Sequence, residues 1–142
     1  MRLVDTNVMI YAHRHEADRH VEYRTWMDAL IAGPEPYMVS DVALNGVIRI
    51  VTDRHIYKNA TPTQVALNYA EKIRDQPHAQ VISPGARFWS IFTNLCLKVG
   101  ASGKLVPDAY LAALAIEHGC EVITTDKDFR RFPGLRFRHP LN

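Results

Sequence analysis

Four short acidic stretches recur at the same kind of position along this chain, where an apolar strand should end or a helix should begin. Their aspartates are Asp5, Asp41, Asp108 and Asp126. In a parallel α/β sheet such positions meet at one edge. Two carboxylates about 5 Å apart would repel by about 3 kcal/mol at an effective dielectric constant of about 20. A cluster that persists in the folded chain therefore predicts a bound cation, and an oxygen-only site favours Mg²⁺, or Mn²⁺, over zinc.

Strand-like and helix-like segments alternate along the chain. Strands are predicted at residues 2–4, 37–39, 80–82 and 121–125, with a late edge strand at 135–138, and helical spacing of apolar residues predicts helices within 23–31, 42–51, 65–73, 88–99 and 107–118. Thr61, Pro62 and Gln64 predict a capping box with proline at the first helical position. The alternation predicts an α/β fold with a central, mostly parallel β-sheet flanked by α-helices, in a single domain spanning residues 1–142.

Composition narrows the class of protein. No apolar run approaches the roughly 18 residues that a membrane span requires, so no membrane association is expected. The two cysteines, Cys96 and Cys120, lack metal-site spacing, and as buried thiols of a reducing compartment they favour the cytoplasm. The net charge of +2 comes from 17 Lys and Arg against 15 Asp and Glu. Setting aside the clustered aspartates leaves the rest of the chain more basic, which suits a polyanionic ligand.

Asp5 and Asp126 each follow a predicted buried strand, at the edge of the sheet where α/β proteins bind ligands. Thr6 and Asn7 come next to Asp5 in the sequence and could orient its carboxylate through hydrogen bonds. Asp128 is a second carboxylate close to Asp126. Either aspartate alone has a simple structural explanation as a turn residue. Their joint placement is what favours a functional site.

Asp41 and Asp108 would each lie in the first turn of a helix. Ser40 is a natural N-cap for the helix that contains Asp41, and Pro107 precedes Asp108. Acidic residues in a first turn stabilise the helix through its dipole, so a structural role explains either one. The prediction of a catalytic cluster rests on all four aspartates together.

Three motifs in this order resemble the PIN-domain ribonucleases, and specifically the VapC-type toxins of bacterial and archaeal toxin–antitoxin pairs. They are LVDTNV at residues 3–8, PDAYLAALA at 107–115 and TTDKDF at 124–129. The resemblance covers nearly the whole chain and implies a PIN-like fold. Carried over residue by residue, it implies that Asp5, Asp108 and Asp126 hold the metal ion.

One position departs from the family's pattern. The family usually carries a glutamate just before an aliphatic-x-Arg stretch in the helix after the second strand. Here Gly46 stands at that position, three residues before Arg49. Asp41 lies nearer the strand end and is one candidate to replace the missing acid. Asn45, which offers a neutral oxygen, is another.

The resemblance implies that the chain is a toxin that cleaves single-stranded or looped RNA endonucleolytically with Mg²⁺. The choice of RNA over DNA rests on the resemblance alone. It also implies a cognate antitoxin that occludes the cleft, and a homodimer. The apolar stripes within 23–31 and 65–73 are candidate interfaces unless they face the chain's own core. The basic residues expected near the cleft as phosphate contacts are Arg14, Arg49, Lys104, Arg130 and Arg131.

Three other interpretations stay open. A catalytically impaired PIN-like module that binds RNA or protein would result if the missing glutamate abolished the chemistry. A receiver-like phosphoryl-transfer domain would need a dedicated lysine on a late strand, and neither Lys104 nor Lys127 fits that position well. His13, His15 and His20 include an H-x-H pair, but no third ligand has convincing spacing for a transition-metal site.

Overall fold

The computed structural model describes the whole chain, residues 1–142, and its centre is a five-stranded β-sheet. The strands are β1 (Arg2–Val4), β2 (Tyr37–Ser40), β3 (Ala79–Ile82), β4 (Glu121–Ile123) and β5 (Phe137–Arg138). All neighbours pair in parallel, in the order β3-β2-β1-β4-β5. The chain thus extends the sheet first to one side of β1 and then to the other. The crevice between β1 and β4 is the kind of place where open α/β sheets bind ligands.

Six α-helices connect the strands and cover the sheet. They are α1 (Thr6–His13), α2 (His20–Ala32), α3 (Asp41–Val51), α4 (Thr63–Arg74), α5 (Phe88–Val99) and α6 (Leu105–His118), and a short 3-10 helix (Lys127–Arg131) follows β4. α1 packs against α2 and α3, α3 also contacts α4, and α5 contacts α6. No helix has both the length and the apolar character needed to cross a membrane.

The central strands and α6 form the middle of the core. Leu3, Val122 and Ile123 are fully buried, as expected for parallel strands that are covered on both faces. The buried side chains of α6 are mostly small, and five of them are at most 1% exposed: Ala109, Ala112, Ala113, Leu114 and Ala115. Asp108 therefore lies in the first turn of a helix whose remaining length is held firmly inside the protein.

The structure confirms the predicted fold class, and every predicted strand and helix is present within one or a few residues of its expected ends. The sheet is entirely rather than mostly parallel. The helix expected from residue 107 begins at Leu105. Regular elements were predictable here because each one carries a clear hydrophobic period and ends at glycine, proline or a polar cap.

The capping box at Thr61 is the local prediction that is wrong. α4 begins at Thr63 after Pro62, and no side chain caps it. The Thr61 hydroxyl instead accepts a hydrogen bond from Arg14 Nη1 at 3.1 Å and lies 3.0 Å from His13 Nε2. Thr61 is buried, and its hydroxyl joins two distant segments of the chain instead of capping the start of α4.

The apolar stripes of α2 and α4 face the protein's own core. Their buried members are Tyr23, Met27, Leu30 and Ile31 in α2 and Ala66, Ala70 and Ile73 in α4. Apart from Val65 of α4, which is exposed, these stripes are therefore committed to the chain's own core rather than to a second copy.

Candidate active site

Asp5 leaves the carboxyl end of β1 and is 7% exposed. Its N–H donates to Ile123 O at 2.9 Å, which continues the pairing of β1 with β4 by one residue. As the N-cap of α1, its Oδ1 accepts from Thr6 N at 2.7 Å, and its Oδ2 accepts from Thr124 Oγ1 at 2.7 Å. Burial raises the pKa of Asp5, and the nearby Asp126 acts in the same direction, against the two hydrogen bonds.

Thr124 joins the two strand-end aspartates. Thr124 is 2% exposed, and its hydroxyl donates to Asp5 and accepts from Asp126 N at 3.0 Å. Asp126 then caps the short 3-10 helix, since its Oδ1 accepts from Asp128 N at 2.8 Å. The parallel register pairs Val4 with Ile123, so Asp5 and Thr124 emerge side by side at the sheet edge. One buried hydroxyl therefore sets the relative position of Asp5 and Asp126.

Asp108 faces these two aspartates from the first turn of α6. Burial, followed by repulsion from Asp5, Asp126 and Asp128, raises the pKa of Asp108 to about 7, while Lys104 acts in the opposite direction. The part of this rise that comes from repulsion shows that Lys104 does not fully offset the neighbouring carboxylates. A bound cation would relieve this repulsion.

The three aspartates lie in one open cleft with a volume of about 580 Å³. The polar residues that line it are Asp5, Thr6, Asn7, Asn45, Arg49, Lys104, Asp108, Tyr110 and Asp126, and the remaining wall is formed by Gly46, Val42, Ala43, Ile50, Pro107 and Leu111. The carboxylates occupy one part of this cleft, and two cations and an apolar surface are available beside them. Tyr110 and the apolar wall were not predicted, because they depend on how α3 and α6 face each other.

Gly46 lies where α3 comes close to α1. A Cβ added at this position would be 3.2 Å from both Cγ2 and Oγ1 of Thr6. The Thr6 hydroxyl is held there by its hydrogen bond to Ala43 O at 3.1 Å. A side chain at position 46 would require Thr6 to shift by a few tenths of an ångström, so the missing acid coincides with a tight helix contact. Asn45, the next residue, lines the cleft.

The structure does not bring Asp41 into the cleft. Its carboxylate points to α4, where Arg74 Nε donates to Oδ1 at 2.8 Å and Arg74 Nη2 donates to Oδ2 at 3.2 Å. The Arg74 guanidinium lowers the pKa of Asp41. For Asp41 to replace the missing glutamate, it would have to leave this ion pair.

The five predicted phosphate contacts separate into two groups. Arg49 and Lys104 line the cleft, whereas Arg14, Arg130 and Arg131 do not. Arg14 bonds to Asn59 O and lies over the Tyr57 ring, 4.1 Å from its centroid. Arg131 donates to Val99 O at 3.1 Å, at the end of α5.

The donor set of the cleft fits a hard divalent cation. All candidate ligands are oxygens, and no group of three His, Cys, Asp or Glu side chains converges closely enough to form a ready-made coordination shell. Mg²⁺ suits this arrangement, because it keeps several waters and uses only one or two protein carboxylates directly. The histidine alternative has less support, since His20 Nδ1 lies 2.8 Å from Tyr11 O and His13 is engaged with Thr61.

Comparison with known proteins gives consistent results. The PIN domain family model matches residues 2–135. Ribonuclease VapC25 of Mycobacterium tuberculosis is 38% identical over 140 residues, which cover 99% of both chains. Ribonuclease VapC43 of the same species is 38% identical over 142 residues, which cover 100% of this chain and 97% of its own.

Two solved structures share the fold. VapC20 of Mycobacterium tuberculosis, described as a sarcin–ricin loop cleaving toxin, superimposes with a TM-score of 0.69 at 17% identity, over 96% of this chain and 99% of its own. VapBC2 from Rickettsia felis, bound to a DNA fragment from its promoter, gives a TM-score of 0.67 at 17% identity, over 97% of both chains. At these sequence identities the superpositions show a shared fold and nothing more.

Proposed function

Because the chain belongs to the PIN-domain family, and within it to the VapC-type ribonucleases, we propose that it is a Mg²⁺-dependent endoribonuclease and the toxin of a type II toxin–antitoxin pair. The observation that carries the proposal is the placement of Asp5, Asp108 and Asp126 in one open cleft, at the sheet edge where β1 and β4 end. Mn²⁺ would serve in place of Mg²⁺, since both prefer oxygen ligands.

The aspartates would divide the work of holding the ion. Asp5 and Asp108 would be the direct ligands, and Asp126 would hold coordinated water, whereas Asp128, the predicted substitute ligand, does not line the cleft. When bound, the ion supplies charge neutralisation at the phosphate and a water of lowered pKa. Asp5 is already oriented by Thr124 and by the N–H of Thr6. The Asn7 and Asn45 amides can hydrogen-bond to that water or to the substrate, since both line the cleft.

RNA would bind across the cleft through its backbone. Arg49 and Lys104 line the cleft on α3 and just before α6, where they can contact phosphates on either side of the bond that is cut. Arg14 is committed to the contacts described above and is the weakest of the predicted phosphate ligands. Arg130 and Arg131 lie outside the cleft and would contact only a longer substrate.

Protein partners follow from the same family membership. The solved relatives include VapBC2 of Rickettsia felis and a toxin–antitoxin complex from Klebsiella pneumoniae. We therefore infer a cognate antitoxin that covers the cleft of this chain, and a homodimer of the toxin. The activity belongs in the cytoplasm, where RNA is available and where Cys96 and Cys120, both free thiols, stay reduced.

A catalytically impaired binding module is the second candidate. It is favoured by one observation, the absence of an acid at Gly46 together with the pairing of Asp41 to Arg74. Such a module would still bind RNA or protein but would not cut.

Cleavage assays separate the two candidates. Antitoxin-free protein is incubated with structured and single-stranded RNAs, in Mg²⁺ and in EDTA, as wild type and as Asp5→Asn. We expect cutting that requires Mg²⁺ and is lost in Asp5→Asn but retained in Asp18→Asn, whose aspartate is exposed and does not line the cleft. Cutting in EDTA or by Asp5→Asn would contradict the proposal, and a folded wild type that cuts nothing would favour the binding module.

The same assay addresses the replacement of the missing glutamate. Because Asn45 lines the cleft and Asp41 is bound to Arg74, Asn45→Ala should slow cleavage more than Asp41→Asn. The reverse order would mean that Asp41 leaves Arg74 and turns into the cleft when metal and RNA bind.

A further inference from the structure

The loop between α3 and α4, residues 52–62, is held against the end of α1 by Arg14. Its Nη1 donates to Asn59 O at 2.9 Å and to Thr61 Oγ1 at 3.1 Å. The guanidinium also lies over the Tyr57 ring, 4.1 Å from the centroid. Because the Arg14 side chain is only 12% exposed and makes all of these contacts, it orders the loop and is not itself free to bind a ligand.

Asp53 folds the same loop into a single helical turn. Its carbonyl oxygen accepts from Ile56 N at 3.1 Å and from Tyr57 N at 2.9 Å. Its carboxylate is engaged as well, since Oδ1 accepts from His55 N at 2.8 Å. The one acid of this loop is thus bound by the loop's own backbone. A loop ordered in this way carries its exposed side chains at fixed positions, which lowers the entropy lost when a ligand binds.

Arg54 and Lys58 are the cations that this ordered loop presents. Both are exposed, and neither forms an ion pair or a side-chain hydrogen bond within the chain. Most arginines of the protein are held by another group, as Arg74 is by Asp41. Arg49, which lines the cleft, is exposed and unpaired like the two loop residues. Unpaired cations therefore follow one another along the chain from the cleft to the loop.

Helix α3 leads from the aspartates to this loop. α1 and α3 both begin at the sheet edge that carries Asp5, and Gly46 of α3 lies against Thr6 of α1. The two helices pack along each other, and their far ends meet at the loop through the Arg14 contacts. At a rise of about 1.5 Å per residue, α3 extends about 7.5 Å from Gly46 to its end at Val51. At about 3.4 Å per nucleotide, a few nucleotides span that distance.

The charges in this region favour a polyanion as the ligand. Glu16, the acid beside Arg14, is bound by the Arg14 guanidinium, and the carboxylate of Asp53 is bound by the loop. Neither acid is therefore free to neutralise Arg54 or Lys58. A row of separate cations that starts inside the cleft matches regularly spaced phosphates better than it matches a single acidic group.

We propose that Arg54 and Lys58 bind phosphates of the RNA strand that leaves the cleft along α3, and that Arg14 is the positioning residue that holds their loop. The inference rests on the proposed function and deepens it, because it gives the RNA a direction, from the aspartates past Arg49 to the loop. Contacts to phosphates carry no sequence information directly. The loop therefore adds affinity for RNA of any sequence.

The salt dependence of RNA binding tests these contacts. Binding of a fluorescein-labelled, single-stranded RNA oligonucleotide of mixed sequence is measured by fluorescence anisotropy in EDTA, so that no cleavage occurs, between about 50 and about 300 mM NaCl. Each lost phosphate contact lowers the slope of log K against log salt by about 0.7. The double variant Arg54→Ala/Lys58→Ala should therefore lose about 1.4 from the slope and bind about 25-fold more weakly at about 0.1 M salt.

Arg138→Ala is the matched control. It also removes an arginine charge, but Arg138 lies with Met1 and Arg2 at the amino ends of the strands, opposite the cleft. Its slope should stay within about 0.3 of the wild-type slope. An equal slope in the wild type and in Arg54→Ala/Lys58→Ala, or no measurable RNA binding by the wild type, would overturn the proposed phosphate contacts.

Arg14→Lys separates positioning from direct contact. It keeps the positive charge but loses the planar fork that reaches the loop. RNA binding should weaken at least about threefold in the otherwise wild-type protein, and less than about twofold when Arg54 and Lys58 are already alanine, because the loop then has no phosphate contacts to lose. Equal losses in both backgrounds would overturn the positioning role of Arg14.

Cleavage by the wild type in Mg²⁺ is scored separately from binding. Cleavage together with unchanged RNA binding in Arg54→Ala/Lys58→Ala refutes the loop contacts alone. Binding that depends on the loop but leads to no cleavage refutes the nuclease alone.

Discussion

At the scale of single residues, the site depends on a hydroxyl that sequence motifs did not reveal. Asp5, Asp108 and Asp126 were predictable, because each follows a strand or opens a helix in a recognisable motif. The role of Thr124 was not, since its bond to Asp5 exists only because Val4 pairs with Ile123 across the sheet. Register between strands far apart in the chain cannot be deduced from the local pattern of either one.

Removing the Thr124 hydroxyl should therefore impair the site without removing an acid. Thr124→Val keeps the shape of the buried side chain but leaves Asp5 Oδ2 without its donor. We expect about 10- to 100-fold slower cleavage and a higher Mg²⁺ requirement, as for other groups that orient a metal ligand. Cleavage rates are measured across Mg²⁺ concentrations, with Thr25→Val as the control, since the Thr25 hydroxyl donates to Val21 O on the exposed side of α2. Equal rates in both variants would show that Thr124 does not orient Asp5.

At the scale of elements, the helices differ in how well the sequence predicted their partners. The apolar composition of α6 indicated a buried helix, and its side chains are indeed inside. The environment of α3 could not be predicted, because it is decided by contacts with other helices. Gly46 meets Thr6 of α1, and Asp41 meets Arg74 of α4. Asp41 therefore lies outside the cleft although its position in the sequence suggested otherwise.

Burial of α6 has a measurable consequence for stability. Leu114 is 1% exposed, so Leu114→Ala should lower the free energy of unfolding by about 2–5 kcal/mol, from lost burial and the cavity left behind. Leu97→Ala makes the same chemical change at an exposed position and should alter it by no more than about 0.5 kcal/mol. Urea denaturation followed by circular dichroism compares the two. Similar losses would contradict the placement of α6 at the centre of the core.

At the scale of the whole molecule, the fold concentrates negative charge in one cleft of a chain that is basic overall. Composition predicted this arrangement in outline, because the clustered aspartates hide the basic excess of the remainder. Burial, and after it repulsion from neighbouring carboxylates, raises the pKa values of Asp5 and Asp108. Repulsion among the carboxylates of the cleft destabilises the metal-free protein, and a bound cation would relieve it.

The raised pKa of Asp108 makes the stability of the metal-free protein depend on pH. Between the ordinary pKa of about 4 for an aspartate and the value of about 7 for Asp108, the folded chain binds more protons than the unfolded one. Stability from this group is thus fully present at low pH and falls as the pH rises through about 7. Thermal unfolding in EDTA should show this loss, Mg²⁺ should restore stability at pH 8 far more than at pH 5, and Asp108→Asn should reduce both effects. A Mg²⁺ effect that is equal at both pH values would argue against the cluster.

Direct metal binding tests the carboxylate cleft without knowledge of the RNA that is cut. Mn²⁺ is titrated into the antitoxin-free protein, and free Mn²⁺ is measured by electron paramagnetic resonance. We predict saturable binding that weakens at least about tenfold in Asp5→Asn and in Asp108→Asn, and that is unchanged in Asp18→Asn, because only the first two remove a charge from the cleft. Equal Mn²⁺ binding by all four proteins would show that the aspartate cluster is not a metal site.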